Sequence, residues 1–142
     1  VVQMRISLLM NKETAFLKYN LLSMKLGIGV VIGSKKKKIS WIHVDDAAIF
    51  IKEAINNSNY KGAYNLATKE PISQGMFIKK IKEKLFPYAL IIKIPFFLVK
   101  LFLGERSQII NTDVSINVDK LKKEGFIWRF YNFKKVLEKV RN

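Results

Sequence analysis

The segment Ser40-Trp41-Ile42-His43-Val44-Asp45-Asp46 runs without a break into Ala47 to Asn57, and this junction constrains the fold more than any other stretch. Apolar side chains stand at Ala48, Ile51 and Ile55 and again at Ala47, Phe50 and Ala54, so a helix here is apolar nearly all round and is expected to be well buried. The residues before it alternate as a strand does, with Ile39, Trp41 and His43 against Ser40 and Ile42. Either Asp45 or Asp46 could cap the helix, and we read Asp46 as the structural cap. A strand feeding directly into a buried helix is the repeating unit of an α/β fold, and ligands often bind at the mouth of its sheet.

The rest of the chain keeps that alternation. Val1 to Met10 reads as a buried strand of a parallel sheet, and Thr14 to Leu26 as a helix stopped by Gly27. Gly29 to Gly33 is a short apolar segment, and the like charges of Lys35 to Lys38 should be exposed. Ala63 to Ala67 reads as a strand, and Ser73 can cap a helix whose inner stripe is Phe77, Ile81 and Leu85. A strand from Ala89 to Ile94 meets Pro95, which suits the first turn of a helix over Phe96 to Leu103 that Gly104 closes. Arg106 to Val118 gives no clear pattern. A short helix from Asp119 to Glu124, a strand-like Phe126 to Phe130 and an end helix from Asn132 to Val140 complete the reading. No internal repeat or linker interrupts it.

At 142 residues and 49% hydrophobic content the chain can form a core, which excludes a disordered tail. It has no cysteine and one histidine, removing disulfides, a thiol nucleophile and a zinc site built from protein ligands alone. With no cleavable signal pattern, a reducing cytoplasmic setting is the default. The net charge of +15 is attractive to phosphates, but the lysines are spread along the chain, which points to solvation rather than a nucleic-acid face. Tyr88 to Leu103 is interrupted by Lys93, Pro95 and Lys100 and is shorter than the roughly 20 apolar residues that a spanning helix needs, which argues against a membrane partner. Phe96, Phe97 and Phe102 are expected to pack in the core rather than against a membrane surface or a partner.

Two catalytic signatures are rejected. Gly27, Gly29 and Gly33 form a glycine cluster, but a basic run and a strand follow it where a phosphate cradle needs a helix N-terminus. Tyr131 and Lys135 have Tyr-x-x-x-Lys spacing, which a lysine-rich chain produces by chance. His43 beside Asp45 or Asp46 could act as a base, yet a histidine packed on a strand and an aspartate at a helix start are both explained without catalysis. No catalytic, cofactor-binding or metal-ligating residue is therefore assigned.

Several segments, in order along the chain, resemble one family. Arg5-Ile6-Ser7-Leu8-Leu9 is similar to its late Rossmann strand, and Lys25-Leu26-Gly27-Ile28-Gly29 through Gly33-Ser34 to its glycine-rich connection. The junction from Ser40 to Asp46 is the closest match. Gly62-Ala63-Tyr64-Asn65-Leu66-Ala67-Thr68 with Glu70-Pro71-Ile72-Ser73 resembles the strand and loop that follow. Ile94-Pro95 through Leu103-Gly104-Glu105, then Leu121 to Phe126, resembles the C-terminal domain. The chain thus resembles the C-terminal portion of an NAD(P)-dependent epimerase/dehydratase, an extended or atypical short-chain dehydrogenase, within the sugar-nucleotide-epimerase-like subgroup that carries a small C-terminal domain.

That resemblance implies the C-terminal part of a Rossmann-like fold over residues 1–69 and a small α/β substrate-side domain over residues 70–142. It implies an isomerase or oxidoreductase parent that uses NAD(P), with the cofactor loop and catalytic Tyr-x-x-x-Lys pair upstream of the equivalent of Val1. The chain would then be a fragment or truncated relative, binding no cofactor itself and inactive alone. Trp41 and His43 become the substrate-side candidates, with Lys38 a contact for an anionic group of a nucleotide-sugar-like molecule. A lost N-terminal Rossmann half would leave a strand edge open, favouring a homo-oligomer. A basic module for nucleic acid or anionic membrane, and an interaction domain for a separate Rossmann chain, remain the alternatives.

Overall fold

Trp41, Ile42 and His43 are all buried, and the strand they form divides the molecule. Trp41 faces one apolar cluster and Ile42 the other, as successive strand residues must. The computed structural model describes residues 1–107 and 115–142. Its strands are β1 (Val2–Ile6), β2 (Leu8–Met10), β3 (Ile28–Ile32), β4 (Lys38–Ile39), β5 (Trp41–His43), β6 (Gly62–Leu66), β7 (Ile72–Ser73) and β8 (Leu90–Ile94). Its α-helices are α1 (Ala15–Lys25), α2 (Val44–Asn56), α3 (Gln74–Leu85), α4 (Phe96–Leu103), α5 (Asp119–Lys123) and α6 (Phe133–Arg141).

The pairs β1–β6, β2–β5 and β3–β8 are parallel, and β4–β7 is antiparallel. Parallel neighbours joined through helices make this the α/β architecture that the sequence predicts. The opening strand is not continuous, however. At Ser7 it changes partner, because the Ser7 N–H and Oγ both donate to the Leu66 carbonyl, at 3.0 and 2.8 Å. Nor is β1 buried: Met4 is 41% and Ile6 46% exposed, and its second edge has no strand partner among the described residues. A parallel strand reads as apolar on both faces whether or not both are covered within one chain.

One core packs β2, β3 and β5 against α1, α3 and α6, with Met10, Leu17, Met24, Trp41, Phe77 and Phe133 at its centre. Gly29 lets β3 lie against α1 and α3, since a Cβ there would come within 2.5 Å of the Met24 sulfur. The second core joins α2, β6 and α5, with Phe50, Tyr64, Leu66 and Leu121 inside. Helix α2 is buried on one side only, for Ile51 and Ile55 remain exposed, so its apolar circumference exceeds what the described residues cover.

The strand expected at Phe126 to Phe130 is absent. That stretch joins no ladder and bends at Arg129, because its polar groups bond to side chains and carbonyls at the sheet end instead of to a neighbouring strand. Most of the patternless Arg106 to Val118 stretch, residues 108–114, lies outside the described residues. Helix α4 also departs from the core packing expected of it, since none of its residues is buried.

Candidate functional site

His43, not an aspartate, caps α2. Its Nδ1 accepts the Asp45 N–H at 3.1 Å, which leaves Asp45 and Asp46 inside the first turn. The imidazole is 1% exposed and stacks on Phe130 with ring centroids 3.7 Å apart. Burial lowers its pKa below the usual 6.5; Asp45 and Asp46 oppose that shift and Lys139 reinforces it. The ring is therefore neutral at pH 7 with its Nδ1 lone pair committed to the cap. Asp45 in turn holds the Lys139 ammonium, and that hydrogen bond depresses its pKa.

Asp46 is structural, but as a clamp rather than a cap. It is fully buried, and its two oxygens accept the backbone N–H groups of Arg129 at 2.9 Å and Phe130 at 3.0 Å. Two further bonds fix the same segment. Trp128 Nε1 donates to the Ala67 carbonyl at 2.9 Å, and Thr68 Oγ1 donates to the Tyr131 carbonyl at 3.1 Å. The junction that looked like a site thus receives the C-terminal segment as a lid over the sheet end.

Trp41 is fully buried beside Phe133, edge to face at 6.1 Å, and its Nε1 has no hydrogen-bond partner among the described residues. Trp41 and His43 are both sealed inside, and neither offers a surface that a ligand could touch in this structure. Lys38 differs. It lines an open groove of about 550 Å³ beside the ends of β1 and β3, walled by α1 and the start of α3.

The groove has an apolar floor of Leu8, Ile32, Phe77 and Ile78, with Ser7, Asn20 and Gln74 as polar points and Lys37 and Lys38 on its rim. Such a surface can hold a partly apolar molecule, orient it through hydrogen bonds and attract an anionic group. Sequence reasoning missed Gln74. As the first residue of α3 it accepts the Ile32 N–H at 2.7 Å and donates to the Ile32 carbonyl at 2.8 Å, copying a strand partner for the end of β3. A glutamine directly after a Ser cap is the only signal it left in the sequence.

A dinucleotide does not fit the glycine cluster. Gly29 is filled against Met24 and Ile78, and the segment continues into β3 instead of opening a helix at which a pyrophosphate could rest. Lys135 lies over the Tyr131 ring, 5.1 Å from its centroid, a cation–π contact with the ring face. Among the described residues no group of three His, Asp or Glu side chains gathers to hold a metal ion.

The His43 cap carries a pH signature. Its folded pKa lies below its unfolded value, so its contribution to stability is complete above about pH 6.5 and is lost as pH falls through the folded pKa, at no more than about 1.4 kcal/mol per pH unit. Thermal melts between pH 7 and 5 should show this loss, and His43→Asn, which can still cap, should flatten it. An unchanged slope in the variant would assign the acid sensitivity elsewhere. Asp45 acts in a lower window, below 3.8.

No family model matches the chain. An epimerase family protein of Staphylococcus haemolyticus is 30% identical over 146 residues, aligning 97% of this chain with 46% of its own length. A chloroplastic epimerase family protein of Arabidopsis thaliana is 26% identical over 99% of this chain and 40% of its own. Among solved structures, a human epimerase family protein with NADPH superposes with a TM-score of 0.86 over 97% of this chain and 47% of that one, at 19% identity. The chain spans less than half the length of the curated relatives it matches. In sequence and in fold, then, the chain corresponds to the C-terminal portion of the epimerase family proteins, among the NAD(P)-dependent epimerase/dehydratases that its own residues resemble.

Proposed function

We propose that this chain forms the substrate-side wall of an NAD(P)-dependent epimerase/dehydratase-like protein and that the groove beside β1 and β3 holds a nucleotide-sugar-like anion. The observation that carries this reading is the groove itself, an apolar floor with Lys38 on its rim at the carboxyl ends of two parallel strands. Trp41 and His43 serve it from behind, Trp41 filling the core beneath β5 and His43 holding the start of α2. Hydride exchange and acid/base chemistry belong to residues outside this chain, which supplies binding and orientation.

Calorimetric titration with a UDP-sugar at low salt tests the wall. Weak binding is expected, and Lys38→Glu should reduce it about tenfold, the loss of one favourable charge contact and the gain of an unfavourable one. Equal affinity in the variant would remove Lys38 from the site. NADH and NADPH should give no saturable heat with the chain alone; micromolar binding would overturn the division of labour proposed.

The exposed face and open edge of β1 favour a second reading, in which another chain supplies the missing strand neighbour. Static light scattering should then report a dimer or larger species for the isolated chain. A monomer at all accessible concentrations would sink it.

A further inference from the structure

Helix α4 is amphipathic the wrong way round for a helix packed on its own protein. Phe96 and Val99 are half-buried on one side. Phe97 and Leu101, with Leu98 and Phe102, form rows at i and i+4 spacing on the other side, exposed by 67, 75, 37 and 84%. The strand leading into it, β8, adds Leu90 at 70% and Ile92 at 46% exposure. An eight-residue helix is far below the length that holds together in water without packing, so an outward apolar face of this kind needs something to lie against.

The charges around it select the occupant. Lys93, Lys100 and Arg106, all exposed, lie on the strand before α4, on α4 itself and just after it, with Glu105 the one acid in this stretch. A second copy meeting α4 across a two-fold axis would bring the same three cations together, which opposes association. An anionic bilayer surface would meet them with headgroup charge and accept the phenylalanines in its outer acyl region. Among the described residues no helix is long and apolar enough to cross a membrane, so α4 would lie on the surface and not span it.

We propose that α4 is a membrane-surface contact, inserting Phe97, Leu101 and Phe102 into the interface of an anionic bilayer while Lys93, Lys100 and Arg106 engage the headgroups. This goes beyond the substrate-wall reading and does not depend on it, since the groove and α4 share no lining residue.

Co-sedimentation of the full chain with phosphatidylcholine vesicles, with and without phosphatidylglycerol, tests it. Binding is expected to the anionic vesicles, roughly a hundredfold weaker to the neutral ones given three interfacial cations, and to fall as salt rises. The double variant Phe97→Asp, Phe102→Asp should lose at least about tenfold in affinity. Because Phe97 and Phe102 are 67 and 84% exposed and lose little packing, its circular dichroism should match the parent's and its melting point should stay close to it. No vesicle binding, equal binding to both vesicle types, or full retention by the double variant would overturn the proposal. So would a dimer that the same two substitutions dissociate, since that would assign the face to a second copy.

Discussion

Asp46→Ala is expected to destabilise the chain by about 3–5 kcal/mol, read as a lowered urea midpoint at unchanged slope. The carboxylate is fully buried and accepts two backbone N–H groups, from Arg129 and Phe130. Removing it leaves two part-buried donors without their acceptor, and each such loss costs about 1–3 kcal/mol. Asn is the informative control. Its single amide oxygen can satisfy one of the two donors while its NH2 faces the other, so Asp46→Asn should recover part of the stability and not all of it. An Asp46→Ala variant as stable as the parent would mean that the C-terminal segment is held by its aromatic contacts alone.

Trp41→Ala should cost a similar amount, about 3–5 kcal/mol, for a different reason. The indole is fully enclosed in the core that joins β2, β5, α1, α3 and α6, and its removal leaves a cavity that surrounding backbone cannot fill. Trp41→Phe is expected to cost clearly less than the lost volume suggests, because it also deletes an Nε1 donor that has no partner among the described residues. Paired denaturant titrations of the two variants measure that difference. If phenylalanine were as damaging as alanine, the indole nitrogen would have a partner that matters. The same arithmetic makes Trp41→Ala a poor probe of ligand binding, since a loss of binding would follow from a loss of fold.

The fold class was legible because the period of apolar residues changes between strand and helix, and because caps and stops sit where they are needed. Ser73 and Asn132 cap their helices through side-chain oxygens, and Gly27, Gly104 and Gly125 follow helices with positive φ. What could not be read was anything decided by partners far away in sequence. His43 took the cap from Asp46 because Asp46 was drawn to Arg129 and Phe130, 83 and 84 residues on. The expected Phe126 to Phe130 strand failed for the same cause, since those bonds replace a ladder. In the candidate site, Lys38 was visible as a charge in a run, whereas Gln74 acquires its importance only through Ile32, 42 residues earlier. Burial of Trp41 and His43 depended on α6 and Phe130 closing over them, which no local pattern encodes.

The bonds that seat the C-terminal segment also set an order of events. Asp46 to Arg129, Ala67 to Trp128 and Thr68 to Tyr131 each close loops of more than 60 residues. Contacts this distant are slow to form, and none can form until Trp128 to Tyr131 has been synthesised. Until then the aspartate carboxylate and the Ala67 carbonyl lie open to water at the end of the sheet. This molecule therefore completes its core late, with Trp128 to Tyr131 acting as the latch.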